Sequence, residues 1–268
     1  MLHFEIKYLF FNDQGAQEIA VSFFDVHYRY LCAPLKKSIV QKAIIDVIIP
    51  AYNEVESIPL VIADIPAQVR EIIVVNNNST DGTEQASVKA GAKVLLETRK
   101  GYGSACLKGM AHVASKEIKP DIIVFLDADY SDHPEELTML VAPILEGKAE
   151  MVIGSRATGQ REKGSMMPAQ VFGNWLATGL MRLLHGVNYT DLGPFRAIRY
   201  DKLVSLGMKD KDYGWTVEMQ IKAAKNKLTF VEIPVTYRKR IGESKVSGTV
   251  KGTVMAGYKI ITTIFKYL

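Results

Sequence analysis

From residue 44 onward the chain alternates short apolar runs with longer amphipathic ones, and this rhythm limits the available folds more than any other feature. The runs at 44–50 (apolar apart from Asp46), 71–75, 92–96, 121–126 and 151–154 lack a polar alternate, the pattern of strands buried on both faces. Between them lie helical stretches at 57–68, 80–90, 103–115 and 134–145. Pro59 and Pro134 fall in first turns, and Gly91 closes the second helix. Strands and helices in alternation imply an α/β fold, a parallel sheet covered by helices on both faces. Ligands of such sheets bind beyond the carboxyl ends of the strands. Each predicted strand is followed there by a polar cluster: Tyr52-Asn53-Glu54, Asn76-Asn77-Asn78, Arg99-Lys100, Asp127-Ala128-Asp129 and Ser155-Arg156. One cluster could be turn chemistry; five in register point to a crevice that binds something.

After residue 156 the rhythm changes. Helices are expected at 167–184, 215–225 and 250–266, the last despite Gly252 and Gly257, and strands at 195–199 and 229–235. This half would cover the crevice and hold a second substrate. Residues 1–43 contain aromatic clusters without a clear period and receive no role.

Composition excludes several classes. The net charge of +4 over 268 residues is too small for a nucleic-acid binder. The excess is local: from Val231 onward Arg238, Lys239, Arg240, Lys245, Lys251, Lys259 and Lys266 face only Glu232 and Glu243. Such a patch suits phosphate or an anionic membrane, or is simply a solvated face. Cys32 and Cys106 have no Cys-x-x-Cys spacing and the histidines no ligand spacing, which argues against a disulfide framework and a zinc site. Glu5 and Lys7 interrupt the N-terminal apolar stretch, so no secretory signal is read, and no run is apolar enough to span a membrane. The expected location is cytoplasmic, with any membrane attachment peripheral on the cytoplasmic face.

Asp127-Ala128-Asp129 carries the sharpest chemistry. Side chains two apart on an extended segment point the same way, so both carboxylates can reach one divalent cation. Mg²⁺ or Mn²⁺ takes such oxygen ligands and completes its shell with water and phosphate. The competing reading is a strand-to-helix turn in which Ser131 or Asp132 caps the next helix. No G-x-x-x-x-G-K-[ST] loop exists, and Gly101-Tyr102-Gly103 is not a dinucleotide fingerprint. A metal is then the natural holder of a diphosphate.

The ordered set Ile48-Ile49-Pro50-Ala51-Tyr52-Asn53-Glu54, Asn77-Asn78-Ser79-Thr80-Asp81-Gly82-Thr83, Asp127-Ala128-Asp129 and Gly154-Ser155-Arg156 resembles family-two glycosyltransferases. The similarity is greatest to the dolichol-phosphate mannose synthase, or polyprenyl-phosphate glycosyltransferase, branch, and runs from about residue 46 to about residue 253. The resemblance implies a GT-A fold, a Rossmann-like, parallel-rich sheet flanked by helices, with a C-terminal acceptor-side extension. It divides the chain into an N-terminal extension (1–43), a GT-A domain (44–246) and a basic amphipathic helix (247–268). It implies an inverting, metal-dependent hexosyltransferase using a UDP- or GDP-hexose. Pro50, Tyr52 and Glu54 would line the base pocket, with Val75 and Asn77 beside base and ribose. Asp127 and Ala128 would contact the nucleotide. Asp129 would be the main metal ligand, with Asp127 shared and Ser131 a weaker contact. Arg156 would face phosphate. Arg240 and Lys245 would sit over the diphosphate and, with Asp129, carry catalysis. Two departures stand out. Many members carry Asp where Asn77 stands, and the late basic motif is one residue short, so Arg238, Lys239 and Arg240 compete for one role. The Q-x-x-R-W signature of processive polysaccharide synthases is absent.

The acceptor stays open between two chemistries. A sugar hydroxyl must lose a proton, which would require a carboxylate such as Asp191 or Glu218. A lipid phosphate is largely ionised already and needs no base. The segment Thr190-Asp191-Leu192-Gly193-Pro194-Phe195-Arg196 resembles the branch's acceptor side and puts Arg196 and Arg199 near the crevice, where Arg156, Asp191 and Glu218 would also meet the acceptor. The helix at 167–184 offers Phe172, Trp175, Leu176, Leu180, Leu183 and Leu184 as an apolar face for an anionic membrane surface, or for packing inside the protein. A nucleotide-sugar binding module without activity is the remaining rival, and oligomeric state is open.

Overall fold

A computed structural model describes residues 6–12, 15–21, 43–242, 244 and 249–268. The chain divides into two units, 1–41 and 42–268. In the first, β1 (Ile6–Asn12) and β2 (Gly15–Val21) pair antiparallel, from Ile6 opposite Val21 to Asn12 opposite Gly15. No clear period marks this hairpin in the sequence, because apolar residues fall on both alternations of β1.

The second unit runs β3 (Ile45–Ala51), α1 (Ile58–Asp64), β4 (Glu71–Asn76), α2 (Thr83–Lys89), β5 (Lys93–Leu96), α3 (Tyr102–Ser115) and β6 (Ile122–Phe125). A 3-10 turn at Pro134–Glu136 leads into α4 (Leu137–Leu145), followed by β7 (Met151–Ser155) and α5 (Pro168–His185). Then come β8 (Arg196–Arg199), α6 (Tyr200–Leu206), α7 (Trp215–Lys225), β9 (Phe230–Pro234) and α8 (Val250–Lys266). These strands form one sheet in the order β5-β4-β3-β6-β8-β7-β9. All neighbours are parallel except β8, which lies antiparallel between β6 and β7.

The apolar runs are explained by two cores, one on each face of the sheet. In β3, Ile48 joins Ile73, Phe125 and Trp215 on one face, while Val47 and Ile49 join Val61, Val124 and Leu137 on the other. Asp46 is the charge within this strand. It is fully buried, held by Arg70 at 2.9 and 2.6 Å and by Lys116 at 2.6 Å. A buried carboxylate is tolerated only when paired this way.

Helix α3 packs directly on β3 because Gly109 has no side chain. A Cβ there would stand 2.6 Å from Ile48 Cγ2. Helix α8 is anchored at its end: Ile264 is fully buried, its carbonyl is 3.0 Å from His185 Nε2 on α5, and the Tyr267 hydroxyl donates to Glu218 on α7 at 2.6 Å. No described helix is long and apolar enough to cross a membrane. Replacing Gly109 by Leu should overpack the α3–β3 contact and lower stability by about 1–3 kcal/mol. A lower urea midpoint at unchanged slope is the expected result.

Candidate active site

The crevice lies where β3, β4 and β6 end. Each end turns sharply through a non-glycine residue with positive φ: Asn53 (55°), Asn78 (64°) and Tyr130 (62°). Such backbone is rare and clusters at functional sites. It is held here by side chains: Asn53 Oδ1 accepts Thr80 N at 2.8 Å, and Asn76 Oδ1 accepts Ser79 N at 2.9 Å. The crevice encloses ≈ 290 Å³. Pro50, Tyr52, Glu54, Asn77, Asp127, Ala128, Asp129 and Arg240 line it, joined by Lys100, Tyr102, Tyr213 and Ser244. The Lys100 ammonium stands 5.5 Å from the centre of the Tyr52 ring.

Asp129 is the centre of the site, 6 % exposed. Its Oδ1 accepts the Ser131 amide at 2.9 Å and the Ser131 hydroxyl at 2.5 Å. Its Oδ2 faces Arg240 Nη1 at 3.1 Å, and Arg240 Nη2 reaches Glu54 Oε1 at 3.1 Å. The Ile241 amide donates to Asp129 O at 3.0 Å, which fixes the late basic segment against the Asp129 loop. The three competing basic residues therefore separate. Arg238 lies 3.3 Å over the Tyr130 ring and donates to Tyr130 O at 2.7 Å. Lys239 pairs with Glu162 on the surface at 3.5 Å. Arg240 enters the crevice. Lys245 lies outside the described residues.

The residues present fit a divalent cation. Asp127 Oδ1 is buried with no partner at full hydrogen-bond geometry among the described residues, although the buried Tyr102 hydroxyl lies near enough to favour its charged form. Burial and the Asp129 carboxylate push the Asp127 pKa up to about 7. Two close carboxylates with an unsatisfied oxygen are relieved by a cation. No group of three or more acidic, His or Cys side chains forms a closed metal cage among the described residues. Phosphate and water would complete the shell, as Mg²⁺ and Mn²⁺ sites allow. The Ser131 hydroxyl, expected as a weak ligand, is turned onto Asp129 instead.

The acceptor side is arranged differently from expectation. Arg156 donates from Nε and Nη2 to the two oxygens of Asp191 at 2.8 Å each, and its amide donates to the same carboxylate at 2.7 Å. Burial would raise the Asp191 pKa, but the Arg156 guanidinium outweighs it and holds the carboxyl below its usual value. Arg196, expected at the crevice, is fully buried and donates to the carbonyls of Leu192, Gly193 and Thr216. Arg199, also expected there, pairs with Asp201 at 3.0 Å and sits opposite Ile122, the first residue of β6. Because β8 runs antiparallel, its last residue stands at the end of the sheet away from the crevice. Glu218 is fully buried too. It accepts the amides of Lys209 and Asp210, pairs with Lys222 at 2.8 Å and accepts the Tyr267 hydroxyl. Val75 packs in the core beneath the crevice rather than lining it.

The model of the family described as Glycosyl transferase family 2 matches residues 46–207. An uncharacterized glycosyltransferase of Mycobacterium tuberculosis is 36% identical over 215 residues, covering 79% of this chain and 94% of the relative. An undecaprenyl-phosphate mannosyltransferase of Micrococcus luteus is 33% identical over 218 residues, covering 76% and 88%. The chain belongs to glycosyltransferase family 2. Among solved structures, glucosyl-3-phosphoglycerate synthase from Mycobacterium tuberculosis, in complex with Mn²⁺, UDP and phosphoglyceric acid, superposes with a TM-score of 0.68 at 24% identity. That alignment covers 84% of this chain and 78% of the synthase, and shows the shared GT-A fold.

The transferase places Tyr102 and Tyr213 in the crevice wall, and sequence reasoning missed both. Tyr102 follows Gly101 at the start of α3, so its position after β5 was a usable signal. Tyr213 gave none, since it comes from the loop before α7. One prediction concerns the Arg156–Asp191 pair. Asp191→Ala leaves a buried guanidinium unpaired and should cost about 3–5 kcal/mol, read as loss of urea stability. Since the folded pKa of Asp191 is depressed, the pair stabilises above the unfolded pKa of roughly 3.9 and is lost as pH falls through the folded value. Asp191→Asn should therefore flatten the acid limb of the stability profile.

Proposed function

We propose that this family 2 glycosyltransferase moves a hexose from a UDP- or GDP-sugar to a polyprenyl phosphate, with inversion, in a Mg²⁺- or Mn²⁺-dependent reaction. The observation that carries the acceptor is the engagement of both candidate bases. Asp191 is held by Arg156, and Glu218 is held by Lys222, Tyr267 and two backbone amides. An acceptor that must be deprotonated finds neither carboxylate available, whereas a phosphate needs none. The likeness to an undecaprenyl-phosphate mannosyltransferase supports the same reading.

The roles follow from the geometry. Asp127 and Asp129 would hold the divalent cation, which would supply Lewis-acid neutralisation of the leaving diphosphate. Arg240, between Glu54 and Asp129, adds a fixed positive charge at the same place. Arg156 is presented to the acceptor phosphate by Asp191. Attack in line with the leaving group inverts the anomeric carbon.

The membrane side of the proposal rests on α5 and α8, which pack together and leave large apolar side chains in solvent. Trp175 is 67 % exposed and Leu183 78 %. Phe172 on α5 and Met255, Tyr258 and Phe265 on α8 are exposed as well, with Lys251 and Lys266 on α8. Such helices lie in the headgroup region without spanning it, and basic residues favour an anionic leaflet.

The test is a panel of UDP- and GDP-hexoses with undecaprenyl phosphate and Mn²⁺, read by product mass. A glycosyl-phosphate lipid is expected. Donor use with sugar-hydroxyl acceptors and none with the lipid would replace this reading by a hydroxyl-acceptor transferase in polysaccharide or glycolipid assembly. Asp129→Ala should keep the fold and lower kcat by roughly 10²–10³-fold, the scale seen when a charge-stabilising group is removed. Sedimentation with anionic vesicles should be lost when Phe172 and Trp175 are both changed to Glu.

A further inference from the structure

The resemblance puts Asn77 beside the base. The structure gives its side chain a different task. Asn77 is 8 % exposed, at the end of β4. Its Nδ2 donates to Glu97 O at 3.1 Å and to Arg99 O at 2.7 Å, and its Oδ1 accepts the Gly101 amide at 2.8 Å. An amide nitrogen has two hydrogens, and both are engaged. The pattern also fixes the orientation of the amide: a backbone N–H can meet only Oδ1, and two carbonyls can meet only Nδ2.

The loop held in this way is one wall of the crevice. It carries Lys100, Gly101 and Tyr102, all of which line it. Its far side is closed by a second segment. A Cβ on Gly101 (φ 139°) would stand 2.1 Å from Lys211 O, and that carbonyl accepts the Ser104 amide at 2.9 Å. The wall is therefore gripped between Asn77 on one side and, on the other, the backbone around Lys211, whose carbonyl also accepts the Ser104 hydroxyl at 3.2 Å.

We propose that Asn77 is a positioning residue that clamps the 97–101 loop as the wall of the donor pocket, a task that Asp at this position could not perform. A carboxylate there would set an oxygen 2.7 Å from Arg99 O and 3.1 Å from Glu97 O with no proton between them. The inference rests on the nucleotide-sugar reading of the crevice. It differs from a base-reading role, under which the Asp variant should work as well as the parent or better.

The experiment compares wild type, Asn77→Asp and Asn77→Ala in three measurements. These are amide exchange over residues 97–103 without nucleotide, calorimetric affinity for UDP and GDP with Mn²⁺, and kcat against KM. Both variants should lose protection at Gly101. They should also weaken the preferred nucleotide by roughly tenfold, the scale of one or two lost hydrogen bonds. The change should fall on donor KM, with kcat within a few-fold. Unchanged exchange in both variants overturns the clamp, whether nucleotide affinity falls or not; an Asp variant that binds as tightly as wild type also overturns it. If wild type binds neither nucleotide, the functional reading fails while the exchange comparison still decides the clamp. Should the variants not fold, exchange at Gly101 in wild type decides: a protected amide supports the clamp and a freely exchanging one overturns it.

Discussion

Burial of β3 and β6 on both faces is the constraint from which the rest of the structure follows. A strand with no solvent face cannot display a catalytic side chain along its length. In β3 even the single charge, Asp46, is drawn into a pair with Arg70 and Lys116. Chemistry is left to the carboxyl ends, where the chain must also turn. The turns at Asn53, Asn78 and Tyr130 take left-handed backbone that most residues avoid. Asn53 is held by the loop after β4, and the loop after β4 is held through Asn77 by the loop after β5. The ends of β3, β4 and β5 thus form one hydrogen-bonded rim.

The antiparallel strand β8 gives the second half its logic. Inserted between β6 and β7, it presents its beginning to the crevice and its end to the opposite side. The segment before it, with Asp191 and Gly193, therefore meets Arg156 at the end of β7. Gly193 is needed there, since a Cβ would lie 2.7 Å from Gly154 O. The same polarity carries Arg199 away from the site and buries Arg196 beneath it, where its guanidinium satisfies three carbonyls. Arg156 is held by Asp191 and the Tyr237 ring, and Arg196 supports the loop that carries Asp191.

This explains which parts of the molecule were legible in the sequence. Strands buried on both faces write themselves as apolar runs, and the polar clusters after them mark the crevice in order. Strand direction leaves no mark: a segment as short as Arg196–Arg199 reads the same either way, so β8 was found but its polarity was not, and Arg199 was misplaced with it. Helix α6 was missed because it begins at Tyr200, immediately after β8, without a turn signal. Glu218 looked like an available carboxylate because the hydroxyl that engages it, Tyr267, lies 49 residues further on. Periodicity reports burial and spacing, whereas these cases depend on partners distant along the chain.

The charge arrangement of the crevice follows from the same rim. Glu54, Asp127 and Asp129 converge from two strand ends, and Arg240 is the basic side chain seen between two of them. Burial and the nearby Asp129 carboxylate raise Asp127 toward neutrality, against the opposing charges of Arg240 and Arg156. A divalent cation alone would share Asp129 with Arg240, two positive groups on one carboxylate. A diphosphate brought with the cation supplies the negative charge that lets both remain. Three carboxylates against one guanidinium leave two negative charges, which a divalent cation would offset, and a diphosphate bound with that cation would bring further negative charge for Arg240 and Lys100 to meet. Since the Arg240 segment is anchored by the Ile241 amide on Asp129 O, the guanidinium can turn without its backbone leaving the Asp129 loop.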